Sequence, residues 1–139
     1  MVDQNCAYCV EGDLVAKFGI KICELETSKV YLFKEQSHPG RCIVAHKKHV
    51  GDMNELTAEE RAAYFEDVAR VARAIMDAFH PDKVNYGAYG DTGHHLHFHL
   101  CPKYKDEFEW GGVFLMNPDK KYLTDAEYAE MIEKIKANM

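Results

Sequence analysis

The sequence predicts an α+β fold: a mainly antiparallel five-stranded sheet with one long central helix and a C-terminal helix. Short segments rich in β-branched and aromatic residues follow one another early in the chain, close enough to pair as a hairpin. Two capping-box patterns later mark the starts of helices, each followed by apolar residues at helical spacing. The resulting order, β-β-β-α-β-β-α, is typical of this class, and we expect residues 1–139 to form one domain.

Three strands are predicted in the first third of the chain, at Lys21–Glu26, Lys29–Lys34 and Arg41–Ala45. Each is short and rich in Val, Ile, Leu, Tyr or Phe. Thr27-Ser28 lies between the first two and is placed to turn a tight hairpin. The run Ser37–Gly40 contains Pro and Gly, which interrupt the chain before the third strand.

The two helices are predicted from their starts and stops. Thr57-x-x-Glu60 opens the long helix, and Pro81 ends it. Strands are then predicted at Val84–Tyr89 and His95–Cys101, with a glycine-punctuated loop between them. A second capping box, Thr124-x-x-Glu127, opens the C-terminal helix.

Composition narrows the classes of function. The chain has 139 residues, of which 47% are hydrophobic, enough for a core. Its net charge of -6 argues against sequence-independent binding to nucleic acid. It has no apolar run of the roughly 20 residues needed to cross a bilayer and no signal-peptide pattern. Its five cysteines are odd in number and unevenly spread, which suits a reducing compartment. We therefore expect a cytoplasmic protein.

The most informative motif is the histidine row, His95, His97 and His99, at every second position. On a strand these side chains project from one face. Neutral imidazole is a nucleophile at physiological pH, and its attack on phosphorus gives a phosphoramidate that water can cleave. Flanking imidazoles can orient the attacking ring or donate to phosphate oxygens. We predict that His97 is the nucleophile and that His95 and His99 assist it.

The run His95–Cys101 resembles the motif that names the histidine triad (HIT) superfamily, and Pro39–His49 resembles its second conserved block. The resemblance covers about residues 5–103. It implies a HIT-like fold and a nucleotide hydrolase or nucleotidyl transferase, commonly a homodimer. Such enzymes act on the α-phosphate of nucleoside phosphoramidates or dinucleoside polyphosphates.

The resemblance also implies roles for residues around the row. His97 would be nucleotidylated, with its other ring nitrogen held by main chain. His99 and Thr92 would contact phosphate oxygens, and Asn85 matches a phosphate-contacting asparagine. The glycines of the loop before the row would let main chain approach a phosphate closely.

Four features depart from the family's pattern, and one of them is a shorter turn between Asn85 and Thr92. Arg41 replaces a histidine that buttresses the triad, and Asp91 replaces a glutamine that helps hold phosphates; we count both among the predicted substrate-binding residues. Where a ribose-binding carboxylate is expected after the second strand, only Glu35 is available. These changes leave phosphoryl chemistry in place and put the usual substrate in question.

Cys6 and Cys9 supply half of a tetrahedral zinc site, although a lone CxxC equally suits a redox pair or two buried thiols. In some bacterial members of the resembled family, such a pair joins two histidines, which align with His49 and His95. The resemblance therefore implies a structural Zn²⁺ site made of all four residues, which leaves His97 free.

Two rival functions remain open from the sequence. One is a metal-dependent hydrolase in which the histidine row binds a catalytic zinc, and the other is a non-catalytic nucleotide-binding module. Among the remaining residues, we interpret His38 and His46 as exposed loop residues and Trp110 as an anchor for its own segment.

Overall fold

The computed structural model describes residues 3–139 and contains a five-stranded sheet in the order β1-β2-β3-β5-β4, with every neighbouring pair antiparallel. This confirms the predicted sheet, and each strand bound lies within two residues of its predicted position. The strands are β1 Gly19–Glu24, β2 Ser28–Phe33, β3 Cys42–His46, β4 Lys83–Gly87 and β5 His97–Lys103.

The long helix α3 (Ala58–Phe79) and the C-terminal helix α4 (Asp125–Ala137) begin at the predicted capping boxes. At the first, the Thr57 hydroxyl accepts the Glu60 N–H at 3.1 Å and the Glu60 carboxylate accepts the Thr57 N–H at 2.9 Å. No helix in the described range 3–139 is both long and apolar enough to span a membrane.

One face of the sheet packs against α3 and α4 and forms the larger core. The alternate residues of β5 that face away from the histidine row contribute to it, as predicted from their spacing. Its members from sheet and helices include Val30, Leu32, Val44, Leu96, Leu100, Val68, Val71, Ile75, Tyr128 and Ile135.

The opposite face is partly covered by two short helices, α1 (Ala7–Val10) and α2 (Gly12–Ala16), which the sequence did not predict. They pack through Tyr8 and Val15 on the sheet. Hydrogen bonds to residues of β2 hold these two helices in place. Lys29 Nζ donates to the Tyr8 carbonyl at 3.1 Å, and the Tyr31 hydroxyl donates to the Glu11 carboxylate at 2.7 Å.

His38 and His46 are buried, so the prediction that they are exposed was wrong. His46 ends β3, where its ring packs 5.2 Å from that of Tyr64. His38 lies in the loop before β3, and its Nε2 is 2.7 Å from the Glu109 carboxylate. In both cases a partner from another part of the chain covers the imidazole.

Candidate active site

The histidine row lies on the sheet face opposite α3, at the bottom of a cavity of about 910 Å³. The pairing of β3 with β5 sets His97 beside Ala45 and His99 beside Ile43, so small and apolar side chains flank the row. His95 lies two residues before the start of β5. The other walls are largely aromatic or apolar and include Tyr8, Phe18, Phe33, Tyr89, Val113, Phe114 and Met116.

His97 is oriented by main chain. Its Nδ1 lies 2.7 Å from the carbonyl oxygen of His95, which can only accept, so Nδ1 carries the proton and Nε2 keeps a lone pair. Burial lowers the pKa of His97, so the ring is neutral at pH 7. The Tyr8 ring lies 5.1 Å from it, and a methyl group at Gly93 would come within 3.3 Å of its Cε1. The free Nε2 has the geometry of a nucleophile.

His99 has the opposite tautomer. Nη2 of Arg41 lies 3.0 Å from its Nδ1, and a guanidinium can only donate, so Nδ1 must accept and Nε2 must carry the proton. Burial, followed by the positive charge of Arg41 and the charge that His97 carries when it is protonated, lowers the pKa of His99 to about 3. His99 lines the cavity as a neutral N–H donor.

Arg41, one of the predicted substrate-binding residues, lies behind His99 and outside the cavity lining. Its side chain is fully buried. Besides His99, it donates to the carbonyl oxygens of Leu115 and Met116, at 3.1 and 2.9 Å. Arg41 therefore connects the histidine row to the segment 113–117, which we call the cavity wall.

The four predicted metal ligands converge at the His95 end of the row. Cys6 Sγ and Cys9 Sγ lie 3.3 and 3.7 Å from His95 Nδ1, and Cys9 Sγ lies 3.3 Å from His49 Nδ1. The two Nδ1 atoms are 3.1 Å apart. Bond lengths of about 2.3 Å to sulfur and 2.0–2.1 Å to nitrogen place tetrahedral zinc ligands roughly 3.3–3.8 Å apart. The donor set and its spacing therefore fit zinc.

Neighbouring groups orient both imidazoles of this cluster. His95 Nε2 lies 2.6 Å from the His46 carbonyl oxygen and donates to it, which directs the Nδ1 lone pair to the cysteines. His49 Nε2 lies 3.7 Å from an Asp3 carboxylate oxygen. Of the histidine row, only His95 belongs to the cluster, and His97 stays outside it.

The loop after β4 brings some of the predicted substrate-binding residues to the cavity. Asp91 and Thr92 are exposed and line it. Asn85 does not, because it faces a separate cavity of about 360 Å³ beside Lys103 and Trp110. Trp110 is 40% exposed, so it does not anchor its segment by burial as we expected.

Glu35 does not reach the cavity. Its buried carboxylate accepts backbone N–H groups of Ser37, Lys120 and Lys121 at 2.8–2.9 Å and so fixes the loop that leads to α4. It cannot replace a ribose-binding carboxylate in this geometry. The expectation that it might was wrong because a distant loop satisfies its oxygens.

Sequence reasoning missed two contributors to the site. Tyr8 stands in no position that predicts contact with the histidine row, yet its ring lies against both His95 and His97. The cavity wall, residues 113–117, has no regular secondary structure or periodicity. The one available signal was an apolar stretch, Val113–Met116, within an otherwise polar irregular segment.

Comparison with known proteins places this geometry in a family. The sequence model of the HIT domain matches residues 19–106. Protein hit of Bacillus subtilis is 30% identical over 123 residues, covering 84% of this chain and 83% of that protein. Adenosine 5'-monophosphoramidase hnt1 of Schizosaccharomyces pombe is 28% identical, covering 77% and 80%. Bis(5'-adenosyl)-triphosphatase of Dictyostelium discoideum is 28% identical, covering 67% and 65%.

Solved structures with the same fold include a histidine triad protein of Sinorhizobium meliloti, with a TM-score of 0.84, 21% identity and coverage of 92% of this chain and 95% of that one. A zinc-bound histidine triad family protein of Mycobacterium smegmatis has a TM-score of 0.67 and 23% identity, covering 96% and 91%. At these identities the likeness establishes the fold alone. Together with the sequence match over most of its length, it leads to one conclusion: this chain belongs to the HIT domain family.

Proposed function

We propose that this protein is a nucleotide hydrolase or nucleotidyl transferase that attacks the α-phosphate of a dinucleoside polyphosphate or nucleoside phosphoramidate. The observation that carries the proposal is the tautomer of His97, whose Nδ1–H is bonded to main chain while Nε2 keeps a lone pair. The relatives named as a phosphoramidase and a triphosphatase support this substrate class.

The reaction follows from the orientation of the row. His97 Nε2 attacks the α-phosphorus, an N–P bond forms, and the bond to the leaving group breaks with its electron pair on that group. His99 Nε2–H and the Thr92 hydroxyl donate to the phosphate oxygens. Water then attacks phosphorus, the electron pair returns to Nε2, and the nucleoside monophosphate departs with release of a proton.

We further propose that Cys6, Cys9, His49 and His95 hold a structural zinc ion, as their spacing and the zinc-bound relative support. When bound, the metal would supply a cross-link between the N-terminal segment, the loop at His49 and His95, two residues before β5. Four protein ligands complete a tetrahedron and exclude substrate from the metal. This favours a structural metal over the metal-dependent hydrolase considered above.

The proposed active form is a cytoplasmic homodimer of one-domain chains. β4 is an edge strand of the sheet and carries Tyr86, which is 52% exposed. An unpaired strand edge with an exposed aromatic side chain favours pairing with a second copy. Sedimentation equilibrium tests this assignment, and a monomer at micromolar concentration would contradict it.

Rapid-quench intact-mass analysis tests the mechanism. The protein is mixed with an adenosine phosphoramidate or a diadenosine polyphosphate, and we expect a nucleotidyl adduct on the wild type and none on His97→Ala. His97→Ala should retain its metal, and its turnover should fall by more than about 10³-fold. Loss of metal from His97→Ala would support the metal-dependent rival, and tight binding without turnover would support the binding module.

A further inference from the structure

Arg41 is an unusual residue to find fully buried, because a cation loses its hydration there. Its hydrogen bonds go to His99 and to carbonyl oxygens, and its Nε is buried without a partner among residues 3–139. The guanidinium carbon lies 4.2 and 4.9 Å from the ring centroids of Phe33 and Phe114. These contacts hold a positive charge against His99 without a carboxylate hydrogen-bonded to it.

The consequence for His99 is a fixed protonation state. Although burial lowers the pKa of Arg41, a guanidinium remains protonated at neutral pH. The Arg41 guanidinium cannot accept a hydrogen bond from the Nδ1–H that a cationic His99 would carry. The groups against His99 are Arg41, the His97 ring at 5.4 Å, and two phenylalanine rings, none of which stabilises a positive charge on it as a carboxylate would. His99 thus stays neutral and offers a single N–H to the cavity.

A neutral N–H donor does not serve all leaving groups equally. When a phosphoanhydride is cleaved, the bridging P–O bond breaks and its electron pair leaves on a phosphate oxygen, which needs no proton at pH 7. When a phosphoramidate is cleaved, the P–N bond breaks and the departing nitrogen must receive a proton. Neutral imidazole is too weak an acid to give one, whereas imidazolium can.

Building on the proposed attack by His97, we infer that Arg41 is a specificity-determining positioning residue: it fixes His99 as a neutral Nε2–H donor, so that the enzyme favours nucleoside phosphoanhydrides over phosphoramidates. His99 then stabilises charge on the phosphate oxygens and does not deliver a proton to the leaving group. Arg41 acts through His99 and touches no reacting atom.

The tautomer of His99 is measured directly by ¹⁵N NMR of the full chain labelled in histidine. We expect a neutral ring with the proton on Nε2 down to pH 5 in the wild type. In Arg41→Met, the loss of the donor and of the charge should let His99 titrate at a higher pH. An imidazolium or an Nδ1–H tautomer at His99 in the wild type at pH 7 would overturn the inference.

Kinetics test the consequence for specificity through the ratio of kcat/KM for diadenosine triphosphate to kcat/KM for an adenosine phosphoramidate. We expect this ratio to exceed one in the wild type and to fall about 10-fold in Arg41→Met, where His99 can become a general acid. Arg41→Lys keeps a buried donor and charge, so its ratio should stay near that of the wild type.

Lys103→Met is the matched control. Lys103 is also a buried cation, and it donates to the Gly112 carbonyl at 2.8 Å without contacting His99. Its loss should slow both substrates equally and leave the ratio unchanged. An equal ratio in all four proteins would overturn the inference even if every protein forms the His97 adduct. Absence of the adduct and of turnover in the wild type would overturn the proposed function instead, and the NMR result would still decide the tautomer.

Discussion

His95 and His99 stand at opposite ends of the same row and have the same tautomer, yet their surroundings give them different tasks. At one end, His95 Nδ1 faces two thiols and a second imidazole, a set that fits a metal. At the other end, His99 Nδ1 faces the guanidinium of Arg41, and its N–H is left for the cavity. β5 and the two residues before it space the three rings, and the partner of each Nδ1 decides whether the ring binds metal, attacks or donates.

Of these experiments, removing the metal should distinguish the His95 end of the row from the His99 end most strongly. At zinc about a thousandfold above its Kd, the ion adds about 4 kcal/mol to the free energy of unfolding. We therefore expect a chelator, or Cys9→Ser, to lower the free energy of unfolding by this order in urea titrations. Cys23→Ser is the control, because this half-buried cysteine lies outside the cluster. If neither a chelator nor added zinc changed the free energy of unfolding of the wild type, the proposal of a metal at this end would be refuted.

Truncating Tyr8 should break the connection between the metal end and His97. Tyr8 lies between Cys6 and Cys9 in the sequence. Its ring is buried and lies against the rings of His95 and His97. Tyr8→Ala should cost about 3 kcal/mol of stability and lower kcat with the metal still bound.

Tyr8→Phe keeps the ring and is the matched variant for that experiment. Its hydroxyl makes no hydrogen bond to the described residues, so we expect wild-type kcat and metal content. If Tyr8→Phe behaved like Tyr8→Ala, a role of the hydroxyl would replace the packing argument.

Lowering the pH should lower the free energy of unfolding through His99, at the Arg41 end of the row. The pKa of His99 is about 3 in the folded protein and ordinarily 6.5. Between these values the unfolded chain takes up a proton that the folded chain does not, so stability falls as pH falls below 6.5. We expect His99 to contribute a loss of up to about 1.4 kcal/mol per pH unit.

Urea titrations between pH 7.5 and pH 4.5, with a chelator present, measure how the free energy of unfolding changes with pH without interference from the metal. Arg41→Met should flatten it by raising the pKa of His99, and His99→Asn should remove its contribution. A slope identical in wild type and His99→Asn would contradict the assignment.

The smallest effect is expected at the loop before the row. Asp91 is exposed and brings a negative charge to a cavity proposed to hold phosphates. Asp91→Asn removes that repulsion at nearly constant shape, so KM should fall about 3-fold, as suits an exposed charge pair, with kcat unchanged. Thr92→Val, by contrast, should lower kcat. A KM that rises in Asp91→Asn would indicate that the carboxylate binds substrate.

The sequence was sufficient where local chemistry determines structure. The hydroxyls of Thr57 and Thr124 and the carboxylates three residues on satisfy helix N–H groups by themselves, so both helix starts were predictable. The alternation in β5 likewise placed His97 and His99 on one face.

Prediction failed where a partner comes from a distant part of the chain. Glu35 is occupied by the loop before α4, and His38 is covered by Glu109. The position of Asn85 is set by strand register, which pairs it with Cys101 and places it at the separate cavity beside Trp110. Arg41 could be recognised as a departure from the family, but its hydrogen bonds to Leu115 and Met116 depend on a segment with no local signal.

The double attachment of Arg41 constrains how this protein can evolve. The same guanidinium donates to His99 and to two carbonyl oxygens of the cavity wall, so a change to histidine at position 41 would leave both carbonyls without this donor. The cavity wall, residues 113–117, would then need another conformation that gives these main-chain oxygens a new partner. Among relatives, the identity at position 41 should therefore covary with the conformation of the wall, and the exchange should proceed through rare, compensated intermediates.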